Sequence, residues 1–302
     1  MAGDPLVTIV TPSLNSGRYV RESIESVLAQ DYPHIEYLVV DGGSTDGTCE
    51  ILAEYSKALA YECAPDDGAA HAINKGFQRS SGHILGWLSA DDIYLPGAVR
   101  SAVRHFQERP DVDVVYGKAF WMNADGARIG EYPTQPFERD ALARECIICQ
   151  PAAFIRSAAF KRVGMLNTDE PIVFDYDLWI RMARDFSFQH VEQYWACSRM
   201  HRSSITFADR RAVLEANMRV LERHFGYIPL QWIYALCCYT LDGRDQFFEQ
   251  RRHPLVSYAI SLPYGLFRNR RHPARFLGEW VSTPLRAAAR AMRPSHARRS
   301  CG

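Results

Sequence analysis

The alternation of strand and helix over the first 120 residues is the feature that most constrains the fold. Leu6-Val7-Thr8-Ile9-Val10-Thr11 is a β-branched strand, and the loop Pro12-Ser13-Leu14-Asn15-Ser16-Gly17 follows it. In residues 18–30, Val20, Ile24, Val27 and Leu28 share one helical face. A second strand at 37–40 ends in Asp41-Gly42-Gly43-Ser44-Thr45-Asp46-Gly47, and 48–58 return to helix. A short third strand at 59–63 leads into Pro65-Asp66-Asp67-Gly68, then a helix over 69–79. The apolar run 83–88 reads as a fourth strand and 112–116 as a fifth. This rhythm predicts an α/β fold with an open, mostly parallel, Rossmann-like central sheet flanked by helices. Such sheets bind ligands beyond the carboxyl ends of their strands. Thr11-Pro12, Asp41-Gly42-Gly43, Asp66-Asp67-Gly68 and Asp91-Asp92 all fall there.

Asp91-Asp92 stands directly after the buried fourth strand. Two adjacent carboxylates repel and raise each other's pKa, so such a pair calls for a cation. A hard divalent metal with oxygen ligands, Mg2+ or Mn2+, is the simplest. A metal held this way can neutralise a departing phosphate. A solvated turn with an Asp as N-cap is the plain alternative for the pair taken alone. The glycine-rich run 42–47 is not GxGxxG and no Walker lysine is present, which disfavours a dinucleotide cofactor or a P-loop ATPase.

Charge divides the chain. Residues 243–302 carry 12 Arg against 3 acids, net +9; the rest carries 23 basic and 32 acidic residues, net −9. A basic end on an acidic body suits a phosphate-bearing partner. Residues 255–267 are mainly apolar, contain Pro263 and Gly265, and are bracketed by Arg251-Arg252 and Arg268-Asn269-Arg270-Arg271. Thirteen residues interrupted in this way are too short to span a bilayer. The segment reads either as an interfacial element drawn to an anionic membrane, reinforced by Arg286, Arg290, Arg293, Arg298 and Arg299, or as part of a helical appendage. Nucleic acid is not expected, since no binding motif is present and the body is acidic. Met1-Ala2-Gly3-Asp4-Pro5 leads straight into a strand without a secretory signal, so the eight cysteines are expected as reduced thiols of a cytoplasmic protein. Cys146-x-x-Cys149 has no second CxxC to suggest a zinc site.

Five ordered pieces carry a resemblance. They are Val10-Thr11-Pro12-Ser13-Leu14-Asn15; Val40-Asp41-Gly42-Gly43-Ser44-Thr45-Asp46-Gly47-Thr48; Asp66-Asp67-Gly68 with Ala72-Ile73-Asn74-Lys75-Gly76; Gly86-Trp87-Leu88-Ser89-Ala90-Asp91-Asp92; and Phe174-Asp175-Tyr176-Asp177-Leu178-Trp179. Together, over about residues 5–205, they resemble family 2 glycosyltransferases of the GT-A fold. The expected organisation is a GT-A domain over 1–206 and a helical, basic extension over 207–302. The resemblance implies an inverting hexosyl- or N-acetylhexosaminyl-transferase of cell-surface glycan synthesis. Its donor would be a nucleotide sugar, in the first place a UDP-sugar, and its acceptor a saccharide or lipid-linked saccharide. A lipid-linked acceptor would place it peripherally at the inner face of the plasma membrane. The Gln-x-x-Arg-Trp signature of processive synthases is absent, which implies one sugar per event.

The same resemblance assigns residues. Thr11, Pro12 and Asn15 join Asp41 in the nucleotide pocket, with Asp41 accepting from the base edge. Asp67 holds base or ribose, Asp91 lies near the ribose, and Asp92 binds the metal, with His201 reaching the diphosphate or completing the metal's shell. Asp175 is the base and Asp177 orients it or binds the acceptor; Phe174 stands where relatives carry Glu. Gln150, Arg202 and Ser204 are acceptor or phosphate contacts. On chemical grounds alone, an alcohol acceptor needs a base, and acids opening a helix, as at 175 and 177, serve equally as caps. Trp87, Trp121, Trp179 and Trp195 are core residues or sugar platforms. A nucleotidyltransferase would need a basic triphosphate loop after the first strand, which the 12–17 loop is not. A non-catalytic sugar-binding module would be expected to lose the acid pairs.

Overall fold

The computed structural model describes residues 3–244 and 249–291, without the side chains of 285–291. Contacts divide the chain into two units, Met1–Asp209 and Arg210–Gly302.

The first unit runs β1 (Val7–Ser13), α1 (Val20–Leu28), β2 (Ile35–Asp41), α2 (Thr48–Glu54), β3 (Ala60–Cys63), α3 (Ala69–Arg79), β4 (Ile84–Trp87), β5 (Ile93–Tyr94) and α4 (Ala98–Glu108). It continues with β6 (Val114–Met122), β7 (Arg128–Glu131), α5 (Arg139–Leu142), a 3-10 turn (Gln150–Ala152), β8 (Ala153–Arg156), α6 (Ser157–Val163), α7 (Phe174–Met182), β9 (Phe188–Arg199) and α8 (Ile205–Ala208). The nine strands among the described residues join one sheet in the order β3-β2-β1-β4-β8-β6-β9-β5, with β7 on β6. The block β3-β2-β1-β4 is parallel, as the βαβ rhythm requires. β8 enters antiparallel to both β4 and β6, while β6 and β9 are again parallel. Register puts Ser13 beside Asp41, Asp41 beside Cys63 and Val10 beside Trp87, so the carboxyl ends of these four strands share one edge.

The β1 strand is buried along its whole length, which is why its sequence is a β-branched run rather than an alternation. The α3 helix lies close over it, and Gly76 permits the approach: a Cβ there would stand 2.6 Å from Val10 Cγ1. Gly76→Ala is expected to cost about 1–3 kcal/mol by overpacking, read as a lowered denaturation midpoint with an unchanged m-value. The Asn123–Gly126 turn closes the β6–β7 hairpin through Asn123 N–H to the Ala127 carbonyl at 2.8 Å. Trp87, Trp179 and Trp195 are fully buried core residues.

The second unit is helical: α9 (Arg210–Phe225), α10 (Leu230–Asp242), α11 (Pro254–Arg268) and α12 (Pro273–Ala291). Its core gathers Leu214, Met218, Ile228, Ile233 and Phe276. Pro263 and Gly265 do not break the 255–267 segment; both lie inside the continuous α11. Arg286 and Arg290 fall where side chains are not described, and Arg293, Arg298, Arg299 and Cys301 lie outside the described residues. Among the described residues no helix is long and apolar enough to cross a membrane. The expectation that all cysteines are free is corrected at one pair, because Cys49 and Cys63 form a disulfide. Strand register explains it: β3 ends beside Asp41, and the first turn of α2 returns over the same point.

Candidate active site

The loops after β1 and β2 are tied to each other. Asn15 N–H donates to Ser44 Oγ at 2.7 Å, and Thr45 N–H returns a bond to Asn15 Oδ1 at 3.0 Å. Ser16 N–H donates to Thr48 Oγ1 and Gly17 N–H to Asp46 Oδ2. Asn15 adopts φ +49°, a left-handed conformation that Asn tolerates better than most residues. The Asp41 carboxylate is buried and shapes its own loop: Oδ1 accepts from Gly43 N–H at 3.0 Å and Ser44 N–H at 2.7 Å, and Oδ2 from the Ser44 hydroxyl at 2.6 Å. Next to it, the buried Ser13 Oγ has no hydrogen-bond partner among the described residues. Thr11 Oγ1 is 3.0 Å from the buried Tyr37 hydroxyl. Gly42 lies against Asp66, where an added Cβ would stand 3.1 Å from its Oδ1. Thr11, Pro12, Asn15 and Asp41 therefore line one edge with Asp66, while the Asp67 side chain is exposed.

Farther along this edge, the acid pair after β4 is split by environment. Asp91 is half-buried, and its Oδ2 lies 2.9 Å from His201 Nε2; the other ring nitrogen of His201 is 2.9 Å from Ser203 Oγ. Asp92 is only 5 % exposed, and its Oδ1 accepts the Arg199 N–H at 2.7 Å. Burial, then the neighbouring Asp91 charge, push the Asp92 carboxyl well above the usual range. Asp92 is thus turned into the interior, and Asp91 carries the more open carboxylate of the pair. The inner carboxylate fastens the end of β9 to the β4–β5 loop, and the outer one meets the imidazole. The pair offers one carboxylate oxygen and one imidazole nitrogen within hydrogen-bond distance of each other, a donor set that would suit a divalent cation.

Arg199, not singled out by any motif, organises this region. It donates from Nε to the Asp91 carbonyl at 2.7 Å, pairs with Glu22, reaches the Asn123 and Ala124 carbonyls, and stacks over Tyr19. Tyr19 in turn packs against His201 with ring centroids 4.8 Å apart. Only the tertiary approach of α1, the β6–β7 turn and β9 creates this hub, so no local spacing announces it. Arg199→Gln is expected to lower stability by about 2–3 kcal/mol through the stranded carbonyls, read by calorimetry and a thermal melt.

Asp175 opens α7, half-buried. Burial raises its pKa to about 6 against the N–H groups of Tyr176 and its own residue. Tyr132 and Cys146 sit close enough for the Asp175 charge to oppose their ionisation. The charges of Asp92 and Asp175 both oppose ionisation of the buried Cys149 thiol, so both acids lie within electrostatic reach of it. Trp179, one turn on from Asp175, stacks on Trp87 at 5.7 Å and docks α7 on the end of β4. Gln150 reinforces the junction by donating to the Trp87 carbonyl at 2.6 Å. Asp177 is buried and accepts from Arg181 Nε at 2.8 Å, and Arg181 also donates to the carbonyls of Val163 and Met165. Ser204 caps the loop locally, donating to the His201 carbonyl at 2.9 Å, and Arg202 is exposed.

Comparison with known proteins shows the family and the fold. The model of the family described as glycosyl transferase family 2 matches residues 8–164, more than half of the chain. An uncharacterised glycosyltransferase of Rickettsia typhi is 29 % identical over 211 residues, covering 67 % of this chain and 66 % of that protein. Chondroitin synthase of Pasteurella multocida is 27 % identical over 193 residues, 63 % of this chain and 20 % of the synthase. The chain therefore spans less than two thirds of either relative. Among solved structures, TarS residues 1–349 of S. aureus in complex with UDP-GlcNAc superimposes with a TM-score of 0.57 at 13 % identity, covering 87 % of this chain and 82 % of that one.

Proposed function

From the premise that this chain belongs to glycosyl transferase family 2 and has the GT-A fold, we propose that it transfers a hexosyl or N-acetylhexosaminyl group from a UDP-sugar to a saccharide or lipid-linked saccharide, inverting the anomeric centre. The observation that carries the reading is the Asp91–His201 pair at 2.9 Å, on the strand edge to which Trp87 and Trp179 also dock Asp175.

In this reading Thr11, Pro12, Asn15 and Asp41 shape the base pocket, Ser13 Oγ supplies an unused donor beside it, and Asp67 reaches the ribose. Asp91 and His201 would hold Mn2+ or Mg2+, which would supply a positive charge to offset that left on the departing diphosphate. The imidazole donor favours Mn2+ over Mg2+. Asp175 accepts the proton of the acceptor hydroxyl as its oxygen bonds to the anomeric carbon. The bond from that carbon to the phosphate oxygen breaks, and its electron pair leaves with the diphosphate. A single base and a single displacement give inversion. A pKa near 6 keeps Asp175 ionised at neutral pH yet basic enough to take the proton. In the same reading Arg202 contacts phosphate and Gln150 borders the acceptor side.

A donor screen tests this. Purified protein with Mn2+ is expected to show a higher melting temperature with a UDP-sugar than with other nucleotide sugars, and chelation should remove the effect. Donor binding unaffected by chelation would remove the metal from the assignment.

A further inference from the structure

In α11 the usual arrangement of a surface helix is inverted. The face turned inward carries small residues, Ser257, Ser261 and Gly265, all buried, and at Gly265 the Phe276 ring occupies the space a Cβ would need. The outward face carries the large apolar side chains: Leu255 is 84 % exposed, Phe267 68 %, Val256 52 % and Ile260 41 %. No charged residue lies between Pro254 and Phe267. A helix that is apolar all round is a buried helix or a membrane one, and here half of it is uncovered. In α12, Leu277 and Val281, four residues apart, are likewise exposed.

The ends of the stripe indicate what covers it. Arg251 and Arg252 precede it, Arg270 and Arg271 follow it, and all four are exposed. Residues 250–278 contain six Arg and no Asp or Glu. A second copy of the chain is a poor occupant, because both ends of the stripe are basic. Parallel or antiparallel pairing would set like charges against each other. At about 1.5 Å per residue the uncharged stretch is about 20 Å long, short of the ~30 Å hydrocarbon core. An apolar face framed by arginines suits a helix lying in the headgroup layer. We infer that α11 docks on an anionic phospholipid surface, its apolar stripe in the headgroup–acyl boundary and the four arginines on lipid phosphates.

The test is sedimentation of the full-length protein with vesicles of phosphatidylcholine alone or with about a quarter phosphatidylglycerol. The protein is expected to sediment with the anionic vesicles and not with the neutral ones, and to release at high salt. Leu255→Glu with Phe267→Glu should weaken vesicle affinity about tenfold or more. These side chains are exposed, so the variant should melt at the wild-type temperature. Should it unfold instead, Arg270→Gln with Arg271→Gln reads the same inference and should also weaken binding about tenfold or more. Failure to bind anionic vesicles at low salt, full binding by folded variants, or a dimer in light scattering that the stripe variant dissociates would each overturn it. None of these readouts depends on glycosyl transfer.

Discussion

Asp175→Asn is expected to lower turnover by about 100- to 10,000-fold, the range a positioned general base supplies. The amide keeps the shape of the carboxylate but cannot take a proton, so donor affinity and metal binding should stay at wild-type values. The wild-type rate should fall below pH about 6 with a slope of one, because the raised pKa of Asp175 marks the loss of its ionised form. The variant should lose that limb from whatever activity remains. Stability should move the other way. The folded pKa lies above the unfolded value of about 4, so ionisation costs folding energy that is absent below pH 4, grows between 4 and 6, and is full above 6. At pH 7 the Asn variant should therefore melt at or above the wild-type temperature. Near-normal turnover in a folded variant would exclude Asp175 as the base.

Asp91→Asn and His201→Ala should each weaken Mn2+ binding by more than the 10- to 100-fold typical of outer-shell partners, and abolish metal-dependent donor binding. Asp92→Asn should behave differently. Its Oδ1 already accepts the Arg199 N–H, a bond an amide oxygen can also make, and burial disfavours a charge there. It should fold and retain most of its Mn2+ affinity. Isothermal titration with Mn2+, with and without UDP, separates these outcomes. Loss of metal binding in Asp92→Asn with retention in Asp91→Asn would reverse the division of labour proposed for the pair.

Much of the fold was legible because its signals are local. The buried β1 run, the helical spacing at 20–28 and the polar strand ends each occupy a few consecutive residues. The antiparallel insertion of β8 between β4 and β6 was not legible, since nothing within the four residues Ala153–Arg156 specifies their neighbours. The site divides in the same way. Acids at strand and helix ends marked Asp41, Asp91, Asp92 and Asp175. Arg199 escaped notice because its partners lie in Glu22, Asp91, Asn123 and Ala124, three separate stretches of chain. Asp177 looked like Asp175 in sequence and differs in being fully buried and paired with Arg181 one turn later.

By itself the sequence determined the βαβ order, the edge on which polar groups collect, and the residue types available there. These follow from periodicity and from the cost of burying polar groups away from strand ends. Tertiary structure alone decided which of two adjacent carboxylates is available. At Asp91-Asp92, consecutive residues in a turn point apart, so one met the Arg199 backbone in the interior and the other met His201 on the open edge. Burial and hydrogen bonding are properties of the assembled neighbourhood, and no spacing along the chain encodes them.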